Sequence, residues 1–244
     1  MAFFDLEGHE LNTNEFVEYY SPSYFLGVEK RTGIRYSQGS RYVEDVVMDI
    51  MNSHFESRLD IVRALAWKMG RIKHRESQDD QRFIYTSDWE ECEQINPMRY
   101  GRVLDLDTLS RYIINNIELL EDLADNSPNE CLLLLRNCNY EGRNHNIRGI
   151  GTVYLITLLF FLSHGMYPIY DRFAMAALLA HERNLQPNNM HVVVNSMPGK
   201  WDASFETVCE NEYQEYINRL EDLQFDYRHD RRLDRALWIY GHAF

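Results

Sequence analysis

The sequence predicts an all-α fold with one or two very short strands. Three observations carry that expectation. Apolar residues recur at helical spacing in segment after segment, capping residues stand where those segments begin, and the strongest apolar run, Val153 to Leu162, has the length of a buried helix. A chain of 244 residues with 45% hydrophobic and 13% aromatic content has ample material for a core.

Residues 1–39 mix rings, glycines and charges without a clear period, so they predict an irregular N-terminal arm packed on the core by Tyr19, Tyr20, Tyr24 and Phe25. Residues 40–244 form the helical domain, with room for two lobes, the central one about 105–182, although no linker marks a boundary. Val43, Val46, Val47 and Ile50 predict a helix over Arg41 to Met51, and Leu59, Val62, Leu65 and Ala66 a second over Ser57 to Met69, with Gly70 as its C-terminal cap. Arg71 to Arg82 reads as a polar loop, Phe83 to Tyr85 as a short strand, and Ser87 with Glu90 as a capping box.

Asp107 is placed to cap a helix whose stripe is Leu109, Ile113, Ile117 and Leu120. Ser127, Pro128 and Glu130 then supply cap, first-turn proline and box partner for a helix carrying leucines 132 to 135 around most of its circumference. After the central run, Phe173 to Ala180 predicts a helix whose alanines admit a close neighbour. His181 to Lys200 predicts a loop with a short strand at Val192 to Val194. Two late helices follow, one burying Phe205, Val208, Cys209, Tyr216, Ile217 and Leu220, the other running from about Asp230 to Tyr240 and closed by Gly241.

Charge constrains the function. Against 25 basic residues stand 38 acidic ones, a net −13, which argues against avid, nonspecific nucleic-acid binding. Three basic islands remain, Arg71 to Arg75, Arg143 to Arg148 and Arg228 to Arg235, and together on one face they would make a local patch. The apolar run is about half of the roughly 20 residues that a membrane span requires, so no membrane partner is expected. Four scattered cysteines and an acidic N-terminal stretch predict reduced, buried thiols and a cytoplasmic setting. They lack the close spacing of an iron–sulfur site, and the nine histidines show no ligand-like pairing with cysteines or carboxylates, so no metal is expected from spacing.

The chemistry concentrates between Asn144 and Ala174. Gly149-Ile150-Gly151-Thr152 opens the apolar run, and glycines just before a helix leave backbone N–H groups exposed ahead of the positive dipole end, a corner that binds phosphate. One helix later comes Asp171, where the next helix should begin, so its carboxylate can cap that helix and still face a cleft. This order of parts resembles the helix-hairpin-helix DNA glycosylase superfamily, in its endonuclease III and 8-oxoguanine glycosylase branches. Those proteins carry a Gly-hydrophobic-Gly hairpin and, after one helix, a catalytic aspartate.

The resemblance implies a helical architecture in which the two chain ends combine into one lobe, DNA as partner, and a base-repair hydrolase activity. It places Asp171 on the catalytic aspartate and implies a monovalent cation at Gly149 to Gly151. The lysine nucleophile of bifunctional members falls on Val153, which forms no Schiff base, so the chain is divergent and only the hydrolytic, monofunctional route is implied. Arg143-Asn144-His145-Asn146-Ile147-Arg148 also replaces the apolar turn that usually enters the first glycine.

Each candidate has an ordinary alternative. Asp171 is a helix cap as well as a stabiliser of a sugar cation. Gly149, Gly151 and Thr152 are turn residues as well as phosphate ligands, and Arg143, His145 and Arg148 are solvated side chains as well as DNA contacts. Tyr170 and Arg172 are base-pocket candidates, but a tyrosine there is equally a core ring with its hydroxyl bonded. His164 is an imidazole for chemistry or a cation favoured by a helix C-terminus. The competing class is a catalytically inactive glycosylase fold, a DNA-binding or protein-interaction module whose acidic surface meets a basic protein partner.

Overall fold

A computed structural model of the chain describes residues 1–26, 28–29, 35–36, 41–75, 82–85, 106–140, 143–144, 151–186, 189, 193 and 211–243. These are mostly helical, with short two-stranded antiparallel ribbons between some of the helices. Contacts divide the chain into a terminal unit, Met1–Gly39 with Pro168–Phe244, and a central unit, Ser40–Tyr167.

The terminal unit opens with the ribbon β1 (Phe3–Phe4) and β2 (Glu10–Leu11), followed by α1 (Thr13–Tyr20) and α2 (Ser23–Leu26), then the ribbon β3 (Val28–Glu29) and β4 (Arg35–Tyr36). The segment read from sequence as irregular therefore contains a capped helix. Asn12 Oδ1 accepts the Glu15 N–H at 3.1 Å while Glu15 Oε2 accepts the Asn12 N–H at 2.9 Å, a reciprocal box that starts α1. Eight residues are too few for periodicity to stand out, and burial of Phe16, Val17 and Tyr20 fixes the helix instead.

In the central unit, α3 (Arg41–Asn52) and α4 (Arg58–Lys68) follow the apolar spacing. The Asp60 carboxylate accepts both the N–H and the hydroxyl of Ser57 at 2.9 Å, and Gly70, at φ 65, ends α4 in the left-handed conformation that favours glycine. Trp67 is core, its indole N–H donating to Glu44 at 3.0 Å. Part of the expected polar loop is a strand instead. Here β5 (Ile72–Arg75) pairs with β6 (Arg82–Tyr85), a partner that local polarity does not reveal.

The stripe from Leu109 to Leu120 belongs to two helices, α5 (Leu106–Asn115) and α6 (Ile117–Asn126). They part at Asn116, whose side-chain amide donates to the Tyr112 carbonyl at 2.8 Å and so competes with the helical ladder. Asp107 lies inside α5 and pairs with Arg58. Next, α7 (Pro128–Arg136) begins at the proline as expected, but without a side-chain cap from Ser127. It buries one face, Cys131, Leu132 and Leu135, and leaves Leu133 exposed, so it is not buried around most of its circumference. After β7 (Asn139–Tyr140) and β8 (Arg143–Asn144) comes α8 (Thr152–Leu162), the buried central helix, against α3, α4, α6 and α7.

Three helices complete the terminal unit: α9 (Arg172–Glu182), α10 (Tyr213–Asp222) and α11 (Arg232–Ala243). Gly241 does not close α11 as expected but lies within it. On α10, Tyr213, Tyr216 and Leu220 are buried and Ile217 is half-buried. Arg219 ties α10 to the end of α9, reaching Glu182 and Glu215 at 2.6 Å each. Phe3, Phe16, Tyr20 and Tyr240 form an aromatic core in which Phe3 stacks on Phe16 at 3.7 Å. The capping box at Ser87, the inward set from Phe205 to Cys209 and most of the strand expected at Val192 to Val194 lie outside the described residues; Val193 itself is buried and helical. Among the described residues no helix is long and apolar enough to cross a membrane.

Candidate functional site

Asp171 stands at the start of α9 with extended backbone, φ −142 and ψ 135, and its Oδ1 accepts the Phe173 N–H at 2.9 Å. The cap expected from sequence is formed. The side chain is half-buried, so capping has not drawn it into the interior. Beside it lie three tyrosines. Tyr170 donates its hydroxyl to Glu212 Oε2 at 3.2 Å and meets Tyr216 edge-on at 5.2 Å, and Tyr213 donates to the Pro168 carbonyl at 2.7 Å.

Burial holds the phenols of Tyr170 and Tyr216 far above the usual tyrosine range, reinforced by carboxylates: Glu212 for Tyr170, Asp234 and Asp171 for Tyr216. The rings are therefore neutral at physiological pH.

The geometry sorts the weaker candidates. Tyr170 is only 1% exposed, a core ring with its hydroxyl bonded to Glu212. Arg172 is half-buried and holds its guanidinium 5.4 Å from the Phe173 ring centroid. Gly151 and Thr152, in the central unit, open α8; Gly151 is exposed, no side chain caps the helix, and its first turn carries no acid. The φ of Gly151 is −70, and among the described residues a Cβ would meet only Tyr154 ring carbons at 3.9 to 4.0 Å, an ordinary contact. Val153 is half-buried and its carbonyl accepts the Thr157 hydroxyl at 3.0 Å. His145, Arg148 and Gly149 lie outside the described residues, as does the side chain of Arg143.

The third basic island does not form the open patch that its sequence suggests. Arg228 pairs with Glu221 at 3.2 Å, Arg232 with Asp230 at 2.7 Å, and Arg231, 5% exposed, with Asp234 at 2.7 Å. Arg235 lies 5.1 Å from the Phe25 ring centroid. Runs of arginine in sequence do not reveal the acids that folding sets against them.

Sequence reasoning also missed a cluster in the central unit. His54, Glu121 and His164, from three separate segments, bring one ligand-type atom each within 4.8 Å of one another. No spacing rule finds such a set. His164 follows α8, and its Nδ1 donates to the Met51 carbonyl in the last turn of α3 at 2.9 Å. Among the described cysteines, Cys131 and Cys138 are buried and reduced, and burial pushes the Cys131 thiol up to about 12.

No family model, curated protein or solved structure matches the chain.

Proposed function

We propose that the chain is a glycosylase-like, monofunctional DNA N-glycosidase in which Asp171 is the catalytic carboxylate. The observation that carries the reading is that Asp171 caps α9 through Oδ1 and yet is only half-buried, beside neutral phenols. As the base departs with the electron pair of its N-glycosidic bond, the sugar becomes an oxocarbenium-like cation, which a carboxylate stabilises. Water supplies the new C–O bond at the sugar and releases one proton to the carboxylate or the solvent. The resemblance assigns a backbone-phosphate contact and a monovalent cation to the Gly149 to Thr152 motif. Val153 offers no amine, so no covalent enzyme–sugar intermediate forms at that position.

The second reading, a non-catalytic DNA-binding or protein-interaction module that takes a basic partner, is favoured by one observation. The net charge is −13 and the Arg228 to Arg232 side chains are already paired with acids. The experiment that separates the two is base release from duplex DNA carrying oxidised, alkylated, deaminated or enzymatically modified bases. The catalytic reading expects abasic product without strand cleavage, no borohydride-trapped adduct, and a loss of at least about 100-fold in Asp171→Asn. Equal product from both proteins removes Asp171 from the mechanism, and no product across the panel leaves the binding module.

A further inference from the structure

We propose that His54, Glu121 and His164 form a binding site for a divalent transition-metal ion of the zinc type, with at least one coordination position open to water. His54 follows the last turn of α3, Glu121 lies on α6, and His164 follows the end of α8, so three elements of the central unit converge on one point. Glu121 Oε1 is 2.7 Å from His54 Nδ1 and 4.0 Å from His164 Nε2, and the two imidazoles meet edge-on at 5.5 Å.

The orientation of His164 is the informative part. Its Nδ1 lies 2.9 Å from the Met51 carbonyl oxygen, which only accepts, so Nδ1 carries a proton. In the neutral ring the Nε2 lone pair then faces Glu121. A backbone carbonyl that holds one imidazole nitrogen while the other faces a carboxylate is the arrangement that orients metal-binding histidines. His164 is held in this place by a left-handed turn, φ 51, beside Gly165 at φ 83.

A carboxylate oxygen and an imidazole lone pair facing each other at 4.0 Å repel unless a proton or a cation lies between them. An ion with bonds of about 2.1 Å in tetrahedral geometry sets its ligand atoms ~3.4 Å apart. The short contact has to open by about 0.7 Å and the long one to close by about 0.6 Å to reach that spacing. The His54 side chain is 65% exposed and the Glu121 side chain 16%, so the imidazole lies at the rim of the cluster and the acid on its inner side. On binding, the ion takes the place of the His54 Nδ1 proton, which passes to Nε2 of the same ring or to solvent. Two imidazoles and one carboxylate are the ligand set of open, water-carrying zinc sites.

The test uses the full chain freed of metal with a chelator and titrated with Co2+ at neutral pH. The expected result is visible ligand-field absorption that saturates near one equivalent and is displaced by Zn2+, with the unfolding midpoint raised by Zn2+ through mass action. His54→Ala and Glu121→Gln should each weaken binding by at least about tenfold. His54→Ala, at an exposed position, should melt like the parent protein in the absence of metal. No Co2+ band, or a band of equal affinity in both variants, overturns the site and leaves a hydrogen-bonded cluster.

Discussion

Gly241 of α11 lies directly against the Phe173 carbonyl of α9: a Cβ at Gly241 would stand 2.1 Å from that oxygen and 2.6 Å from its carbon. The missing side chain is what allows the two helices to cross this closely. The neighbouring His242 ring packs in a tilted arrangement against Phe173, centroids 3.6 Å apart, and against Trp238 at 3.8 Å.

Gly241→Ala must therefore separate α9 from α11, because backbone cannot yield as a flexible side chain does. A loss of about 1 to 3 kcal/mol is expected, seen as a melting point lower by roughly 2 to 4 °C for each kcal/mol. The usual helix preference runs the other way, alanine being better than glycine by about 1 kcal/mol. A variant as stable as the parent would show that the crossing is not tight.

At Asp171 the cap and the proposed chemistry separate by substitution. Asparagine caps about as well as aspartate, so Asp171→Asn should retain stability, whereas Asp171→Ala should lose about 1 kcal/mol with the bond to the Phe173 N–H. Denaturant titration measures both. If Asp171→Asn destabilises as much as Asp171→Ala, the negative charge itself supports the helix start, and loss of excision in Asp171→Asn would no longer isolate catalysis.

What the sequence made legible was local. Periodicity gave α3 and α4, an unbroken apolar run gave the buried α8, the Gly70 turn followed from its neighbours, and the Asp171 cap was visible from its position before an alanine-rich helix. What it hid depended on distant partners. Asn116 splits a continuous apolar stripe by taking the Tyr112 carbonyl with its own side chain, and Gly241 reads as a helix stop until Phe173 is placed beside it. The Arg228 to Arg232 run looks cationic until Glu221, Asp230 and Asp234 are set against it. His54, Glu121 and His164 have no common spacing at all.

Tyr216 is fully buried, and its hydroxyl has no hydrogen-bond partner among the described residues. An unpaired buried hydroxyl costs about 1 to 3 kcal/mol, so Tyr216→Phe should be neutral or raise stability by about 1 kcal/mol. Loss of more than about 1 kcal/mol in a denaturant titration would show instead that the hydroxyl makes a bond worth keeping.

His181 supplies a pH dependence with a definite sign. It stacks on Phe3 at 4.3 Å, and burial, aided by the positive N-terminus, lowers its imidazole pKa to about 4. Unfolded, the ring titrates near 6.5, so as pH falls the unfolded chain takes up the proton first. The contribution of neutral His181 is therefore complete above about pH 6.5 and is lost progressively from there toward pH 4. Because the ring is only about half-buried, solvent screening reduces the full linkage value, and a loss of about 1 kcal/mol by pH 5 is expected. His9 and His54, whose pKa values are raised by Asp5 and Glu121, oppose this trend, so the test is a difference. Between pH 7 and pH 5, His181→Leu should lose less stability than the parent protein by that amount, and parallel curves would show that His181 is protonated as readily in the folded state as in the unfolded one.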